Sequence, residues 1–316
     1  MRRAAIGVDI GGTHVKLGLV SERGRVLLRD TFLTRQAHSR SEFLQKLVTH
    51  VEILKAEART RKLRLAGVGI GAPGPVDVAR GFVYFFPNIP GWKNTPLQKI
   101  LQKKLRVRVR VDNDANAMAL GEFRFGAGRG SSNMVALTLG TGVGGGLVLD
   151  GKLFHGSDFS AAEIGHMVVD PNGPRCGCGM RGCIETFVGN GYFVKEVRAA
   201  LRAGQKSILK KWLREGRELS PKLVQEAARR GDAYSKAQWR RTGQRLGMFL
   251  AGIVNLLNPE RIVIGGGIAL GGGLVLTPVR TAVKKKAFPS ASRFVKVVPA
   301  VLGPDAGLVG AAALAL

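Results

Sequence analysis

One local pattern occurs twice in this chain: an apolar strand, a glycine turn carrying a threonine, and a second apolar strand. Residues 4–10 run into Gly11-Gly12-Thr13, and residues 14–20 alternate away from it. Residues 134–139 run into Gly140-Thr141-Gly142, the start of a glycine-rich stretch that ends at Gly146, and residues 147–149 follow. Glycines between two runs of strand character predict a hairpin rather than a strand-to-helix turn. The recurrence predicts a duplicated architecture with one hairpin in each of two domains, and 316 residues suffice for both cores.

The remaining pattern alternates strand and helix, which is the signature of an α/β fold. A third strand is expected over Val26 to Thr34. Apolar positions Phe43, Leu44, Leu47, Val48, Val51, Ile53 and Leu54 predict a helix over 41–62, capped by Ser41. Leu65 to Ile70 reads as a buried strand entering Gly71-Ala72-Pro73-Gly74-Pro75-Val76-Asp77. Val107 to Val111 reads as another, opening on Asp112-Asn113-Asp114 and an alanine-rich helix. Residues 190–255 are mainly helical and basic. Arg261 to Ile264 is a strand entering Gly265-Gly266-Gly267, and strand Val295 to Val298 precedes a helix of small residues reaching Leu316.

All three cysteines, Cys176, Cys178 and Cys183, lie within eight residues, with His166 ten residues upstream. Three thiolates and one imidazole complete a tetrahedral zinc set, and the intervening glycines let the backbone wrap tightly. Such an ion would also fix Glu163, His166 and Glu185, as a site of polar ligands requires. A bare staple for a loop is the plainer alternative. A disulfide fits less well, because one of three crowded thiols stays unpaired.

The net charge of +27 would draw polyanions without specificity, yet the basic residues are spread along the chain with no nucleic-acid motif or interleaved aromatics. It reads as a solvated basic surface with no specific nucleic-acid partner. The start of the sequence lacks the apolar core of a signal peptide, and no apolar run reaches about 18 residues, so neither export nor a membrane span is expected. A reduced, cytoplasmic setting is expected.

Glycines at Gly11, Gly12, Gly140, Gly142 and Gly265 to Gly267 leave bare backbone that can approach phosphates. None of these turns is a Walker loop, and Gly265-Gly266-Gly267 lacks dinucleotide spacing. Phosphoryl transfer to an alcohol benefits from a carboxylate that accepts its proton. Asp114 fits that need: it follows a strand, opens a helix, and has Asn113 and Asn116 as neutral neighbours. One of Asp112, Asn113 and Asp114 could instead serve as a helix cap. Asp112 is assigned no catalytic role. His14, His38, His50 and His155 have no cluster partners in the sequence and read as ordinary surface or core histidines.

Taken in order, Asp9-Ile10-Gly11-Gly12-Thr13, Gly71-Ala72-Pro73-Gly74, Asn113-Asp114-Ala115-Asn116, Leu139 to Gly146, Glu163-Ile164-Gly165-His166, the cysteine cluster and Ile264 to Gly267 resemble the ROK family of bacterial sugar kinases and sugar-responsive repressors. The resemblance spans essentially the whole chain. It implies the actin-like ATPase (ribonuclease H-like) fold, two α/β domains with ATP and sugar in an interdomain cleft. The expected division is a smaller domain, 1–115 completed by 299–316, and a larger one, 116–298, with the zinc site. The resemblance further implies that Gly11, Gly12, Thr13, Gly140, Thr141 and Gly142 hold phosphates, that Gly265, Gly266 and Gly267 border the adenosine, and that Asp9 steers magnesium. It makes Asp114 the catalytic base and Asn88, Asn113, Asp114, Glu163, His166 and Glu185 the sugar contacts.

The expected activity is ATP-dependent phosphorylation of a hexose at its 6-hydroxyl, most readily glucose. Kinases of N-acetylmannosamine, N-acetylglucosamine and fructose share the motifs, and polyphosphate remains open as donor. Zinc as a structural ion, magnesium with ATP, and a homodimer or homotetramer are the implied cofactors and assembly. Repressors of the family carry a helix-turn-helix before the sugar-binding core. Here the first strand begins by Ala4, so a kinase is expected rather than a regulator.

Overall fold

The computed structural model describes residues 2–86 and 89–316. In chain order the first elements are β1 (Arg3–Ile10), β2 (His14–Ser21), β3 (Val26–Leu33), α1 (Arg40–Thr60), β4 (Arg64–Ala72), β5 (Val76–Asp77), β6 (Phe82–Phe85), β7 (Lys93–Thr95), α2 (Leu97–Leu105), β8 (Val109–Asn113) and α3 (Asp114–Phe125). There follow β9 (Met134–Leu139), β10 (Val143–Leu149), β11 (Lys152–Leu153), α4 (Glu185–Val188), α5 (Asn190–Arg202), α6 (Leu209–Arg214), α7 (Pro221–Arg229), α8 (Ala233–Leu257), β12 (Arg261–Gly266), α9 (Gly273–Lys286), α10 (Pro289–Phe294), β13 (Lys296–Pro299) and α11 (Ala306–Ala313).

Two five-stranded sheets share one plan. The first has the order β3-β2-β1-β4-β8 and the second β11-β10-β9-β12-β13, so each hairpin strand and each crossover strand has a counterpart. In the first, β1 is antiparallel to β2 and parallel to β4, and β4 is parallel to β8. In the second, β10 is antiparallel to β11, and β12 runs parallel to both β9 and β13. This is the duplicated layout that the recurring hairpin predicts. A third small sheet, β5-β6-β7, has no counterpart in the sequence reading, because strands of two to four residues carry too little periodicity.

The chain forms two compact units. Unit 1 comprises Met1–Ser132, Gly146–Ala162 and Val301–Leu316; unit 2 comprises Asn133–Gly145 and Glu163–Ala300. In unit 1 the alternation of β1 divides its residues between two faces. Ala4, Ile6, Val8 and Ile10 join Phe43, Leu47, Val51, Leu54, Trp92 and Leu101 on the α1 and α2 side. Ala5 points the other way and packs with Val20, Val309, Ala312 and Ala315, under α11. Gly7 shares that second face, and a Cβ on it would run into the Leu308 carbonyl; one on Gly69 of β4 would run into that of Ala311. The helix therefore lies against the sheet at a distance that only glycine permits.

Helix α1 starts one residue before the predicted range, and its cap is Ser39, not Ser41: the Ser39 hydroxyl accepts the Glu42 amide at 3.2 Å. Glu42 in turn accepts the His38 amide at 2.9 Å. The Ser39-to-Glu42 spacing is that of a capping box, and this decides between two nearby serines. The second hairpin turn is also shorter than the glycine run suggested. Only Gly140-Thr141-Gly142 turn, with Gly140 N–H bonded to the Gly142 carbonyl at 2.9 Å, while Gly144 to Gly146 lie within β10. Gly146 is needed for another reason: a Cβ there would stand 2.5 Å from that of Ala119 on α3.

A fully buried carboxylate closes unit 1. Glu122, near the end of α3, accepts backbone amides of Ala127 at 2.8 Å, Val301 at 3.0 Å and Leu302 at 2.9 Å. Among the described residues, no helix is long and apolar enough to cross a membrane.

Candidate functional site

Ligands of parallel α/β sheets gather at the carboxyl ends of the strands, and the candidate residues of unit 1 sit there. Asp9 on β1 is in register with Gly71 on β4, and Gly71 with Asp112 on β8. The half-buried Asp9 carboxyl lies against Gly307, where a Cβ would be 2.6 Å from its Oδ2. Burial raises its pKa above the ordinary aspartate value, and Lys16 opposes that shift. Beside it the first hairpin closes with Gly11 N–H on the His14 carbonyl at 3.0 Å, and the Thr34 hydroxyl donates to the Gly11 carbonyl at 2.7 Å.

The corner between β8 and α3 is built from side chains of its own sequence. Asn113 is the N-cap of α3: its Oδ1 accepts the amides of Ala115 at 2.8 Å and Asn116 at 3.3 Å, while Nδ2 donates to the Gly74 carbonyl at 3.2 Å. Asp114 opens the helix half-exposed, and its Oδ1 accepts the Ala115 amide at 2.8 Å. Capping thus falls to Asn113, with the half-buried carboxylate of Asp114 next to it. Asn88 lies outside the described residues.

Asp112 does more than the sequence suggested. It is 1% exposed, and His155, read there as partnerless, meets its Oδ2 through Nε2 at 2.8 Å. That hydrogen bond raises the His155 pKa against the opposing effect of burial. Forty-three positions separate the two residues, so no local signal could have joined them. His50 likewise has a carboxylate partner, Asp30 at 2.7 Å.

In unit 2 the second hairpin and the Gly265 to Gly267 turn occupy the equivalent strand ends, with Gly266 in register with Leu139. Gly266 adopts φ +86°, where a Cβ would collide with the Leu139 backbone. Asn190, which the sequence reading passed over, ties the two turns together. Its amide donates to the Gly140 carbonyl at 2.9 Å, and its side chain lies against Gly267.

The cysteine cluster assembles as expected. The ligand atoms of His166, Cys176, Cys178 and Cys183 all lie within 4.8 Å of one another. Cys176 Sγ is 3.6 Å from His166 Nδ1, and Cys178 Sγ is 3.7 Å from Cys183 Sγ. A tetrahedron with Zn–S of about 2.3 Å and Zn–N of about 2.0–2.1 Å has edges of roughly 3.6 and 3.8 Å, so the donor set fits that ion. Burial, together with the neighbouring thiols, pushes Cys183 up to about 12. Burial raises Cys176 as well, whereas a backbone hydrogen bond at Met180 lowers the exposed Cys178.

Glu185 joins this cluster to the hairpin: Oε2 accepts the Val143 amide at 2.8 Å, and Cys176 Sγ lies 3.8 Å from Oε1. Glu163 is exposed at the start of the short turn ending in His166, whose amide donates to the Glu163 carbonyl at 3.0 Å. Within unit 2, Cys176 thus lies between His166 and Glu185, the first residue of α4.

The family model described as "ROK family" matches residues 5–316. The glucokinase of Thermotoga maritima is 39% identical over 98% of this chain and 96% of that protein. A ROK family glucokinase from Streptomyces griseus, solved with glucose and AMPPNP, aligns with a TM-score of 0.82 at 36% identity over 98% of each chain. A ROK family transcriptional regulator, a homologue of the E. coli Mlc protein, aligns at 0.89 with 28% identity, over 99% of this chain and 77% of that one.

Proposed function

The chain belongs to the ROK family, and we propose that it transfers the γ-phosphoryl group of ATP to the 6-hydroxyl of glucose, forming glucose 6-phosphate. The observation that carries this reading is the two-sided match to glucokinases, which leaves almost nothing of either chain unaligned. The regulator matches at the lower identity of 28%.

Asp114 is the base. It accepts the proton of the attacking hydroxyl as the oxygen bonds to phosphorus, an effect of about 10²–10⁴ in rate. Asn113 and Asp114, with Asn88, Glu163, His166 and Glu185, pair with the sugar hydroxyls; a sugar lacking one of these leaves a buried polar group unsatisfied, which is the basis of selection. The backbone of Gly11, Gly12, Thr13 and Gly140 to Gly142 holds the phosphates, and Gly265 to Gly267 border the adenosine. Asp9 would hold the magnesium that accompanies ATP, and that ion would supply charge neutralisation at the phosphates. His166, Cys176, Cys178 and Cys183 hold zinc, whose contribution is to fix the loop carrying the sugar contacts. The active form is a homodimer or homotetramer in the cytoplasm.

Initial rates across glucose, mannose, fructose, N-acetylglucosamine and N-acetylmannosamine, with ATP or polyphosphate as donor, test this reading. Glucose with ATP should give the highest kcat/KM. A higher value for an amino sugar or fructose moves the substrate, one for polyphosphate moves the donor, and no turnover on any of them ends the kinase reading.

A further inference from the structure

The Asp112 carboxylate uses three hydrogen bonds, and all of them bear on the corner that carries Asp114. Oδ1 accepts the Asn113 amide at 2.7 Å and Asn116 Nδ2 at 3.0 Å, and Oδ2 meets His155 Nε2 at 2.8 Å. Asn116 is itself 3% exposed, on the first turn of α3. A carboxylate taken out of water is tolerated only with such partners, and removing one leaves the charge undercompensated. By strand alternation Asp112 shares a face of β8 with the exposed Arg110, opposite the buried Val109 and Val111.

His155 reaches this corner from the segment after β11, with its ring set edge-on to Phe159 at 6.4 Å between centroids. An ionised carboxylate only accepts, so the bond requires a hydrogen on His155 Nε2. All of these residues belong to unit 1.

We propose that Asp112 and His155 form a positioning pair for phosphoryl transfer: His155 holds Asp112, and Asp112 holds Asn113 and Asn116 so that Asp114 stays in the orientation that accepts the sugar proton. Neither residue touches the reacting atoms. The pair rests on the reading of Asp114 as base. A displacement of about 1 Å at a catalytic group can lower rates about 100-fold, so the anchoring has kinetic weight.

Steady-state kinetics on wild type, His155→Phe, His155→Gln and Asp114→Asn test the pair. The phenylalanine keeps the ring volume and loses the donor, whereas the glutamine places an amide near the position of Nε2. For His155→Phe, kcat should fall about 10- to 100-fold with glucose KM within about 3-fold. His155→Gln should recover kcat to within about 3-fold of wild type. Wild-type kcat in His155→Phe, equal losses in both variants, or a loss confined to KM would each overturn the pair.

A measurement on the unaltered protein covers the case in which His155→Phe fails to fold. Nitrogen NMR should find His155 protonated at Nε2, and a bare Nε2 with hydrogen on Nδ1 would overturn the pair directly. If Asp114→Asn is inactive while His155→Phe is unaffected, the pair alone fails. If Asp114→Asn turns over like wild type, the base assignment fails and takes the pair with it.

Discussion

The Glu185 carboxylate accepts the amide of Val143 at 2.8 Å, which couples the hairpin turn at Gly140 to Gly142 with the loop bearing Cys176 and His166. Gly142 sits so close to this carboxylate that a Cβ there would collide with Oε2. In Glu185→Ala, a charged hydrogen bond worth about 1.5–3 kcal/mol is lost, so KM should rise roughly 10- to 100-fold for glucose. KM for ATP should rise with it. A change in the glucose value alone would separate the hairpin from the loop.

Asp114→Asn should lower kcat about 10²- to 10⁴-fold, since an amide keeps the shape but cannot take the proton. Glucose binding, measured by calorimetry, should remain detectable. Undiminished turnover would exclude Asp114 as base.

Purified protein should contain about one zinc per chain, in keeping with a four-ligand structural site. Cys178→Ser, or exhaustive chelation, should lower Tm and raise the glucose KM together, because an ion held by these four residues would fix the loop around His166. Absence of zinc from protein prepared without chelator would contradict this assignment.

Glu122→Ala should destabilise the fold strongly. Three amides, those of Ala127, Val301 and Leu302, would lose their acceptor in a site closed to water. With about 1–3 kcal/mol for each unsatisfied group, a loss of several kcal/mol in urea unfolding is expected. A midpoint within error of wild type would show that these amides find other partners.

The His155 bond to Asp112 gives unfolding a pH dependence of known sign. The hydrogen bond raises the folded pKa above the unfolded value of about 6.5. The added stability is then fully present below about pH 6.5 and lost as pH rises through the folded pKa. The stability difference between wild type and His155→Phe should shrink as pH rises above about 6.5. A difference that grows with pH would reverse the assignment.

Local chemistry was legible in the sequence; contacts at a distance were not. The hairpins at Gly11 to Thr13 and Gly140 to Gly142, the ligand cluster at His166 to Cys183, and the placement of Asp114 at a strand-to-helix corner all depend on neighbours within a few to seventeen positions. The choice between Ser39 and Ser41 as cap turned on the reach of one hydroxyl to Glu42, which the apolar spacing of α1 does not report. Asp112 and His155, or Glu122 and Val301, meet only after the chain has folded back across many residues. Nothing in the composition of either segment marks the other. Asn190 escaped notice for a related reason: its role lies in a backbone amide, which every residue other than proline possesses.

Helix α11 covers the Ala5 and Val20 face of the first sheet, yet its residues are translated last among those described. Ribosomes add about 5–20 residues per second, so the nascent N-terminal sheet waits roughly ten seconds or more, while residues 133–300 emerge, before its cover arrives. During synthesis that face is open to chaperones and to neighbouring nascent chains. Expression yield should therefore respond to substitutions in residues 301–316 even where the finished enzyme tolerates them.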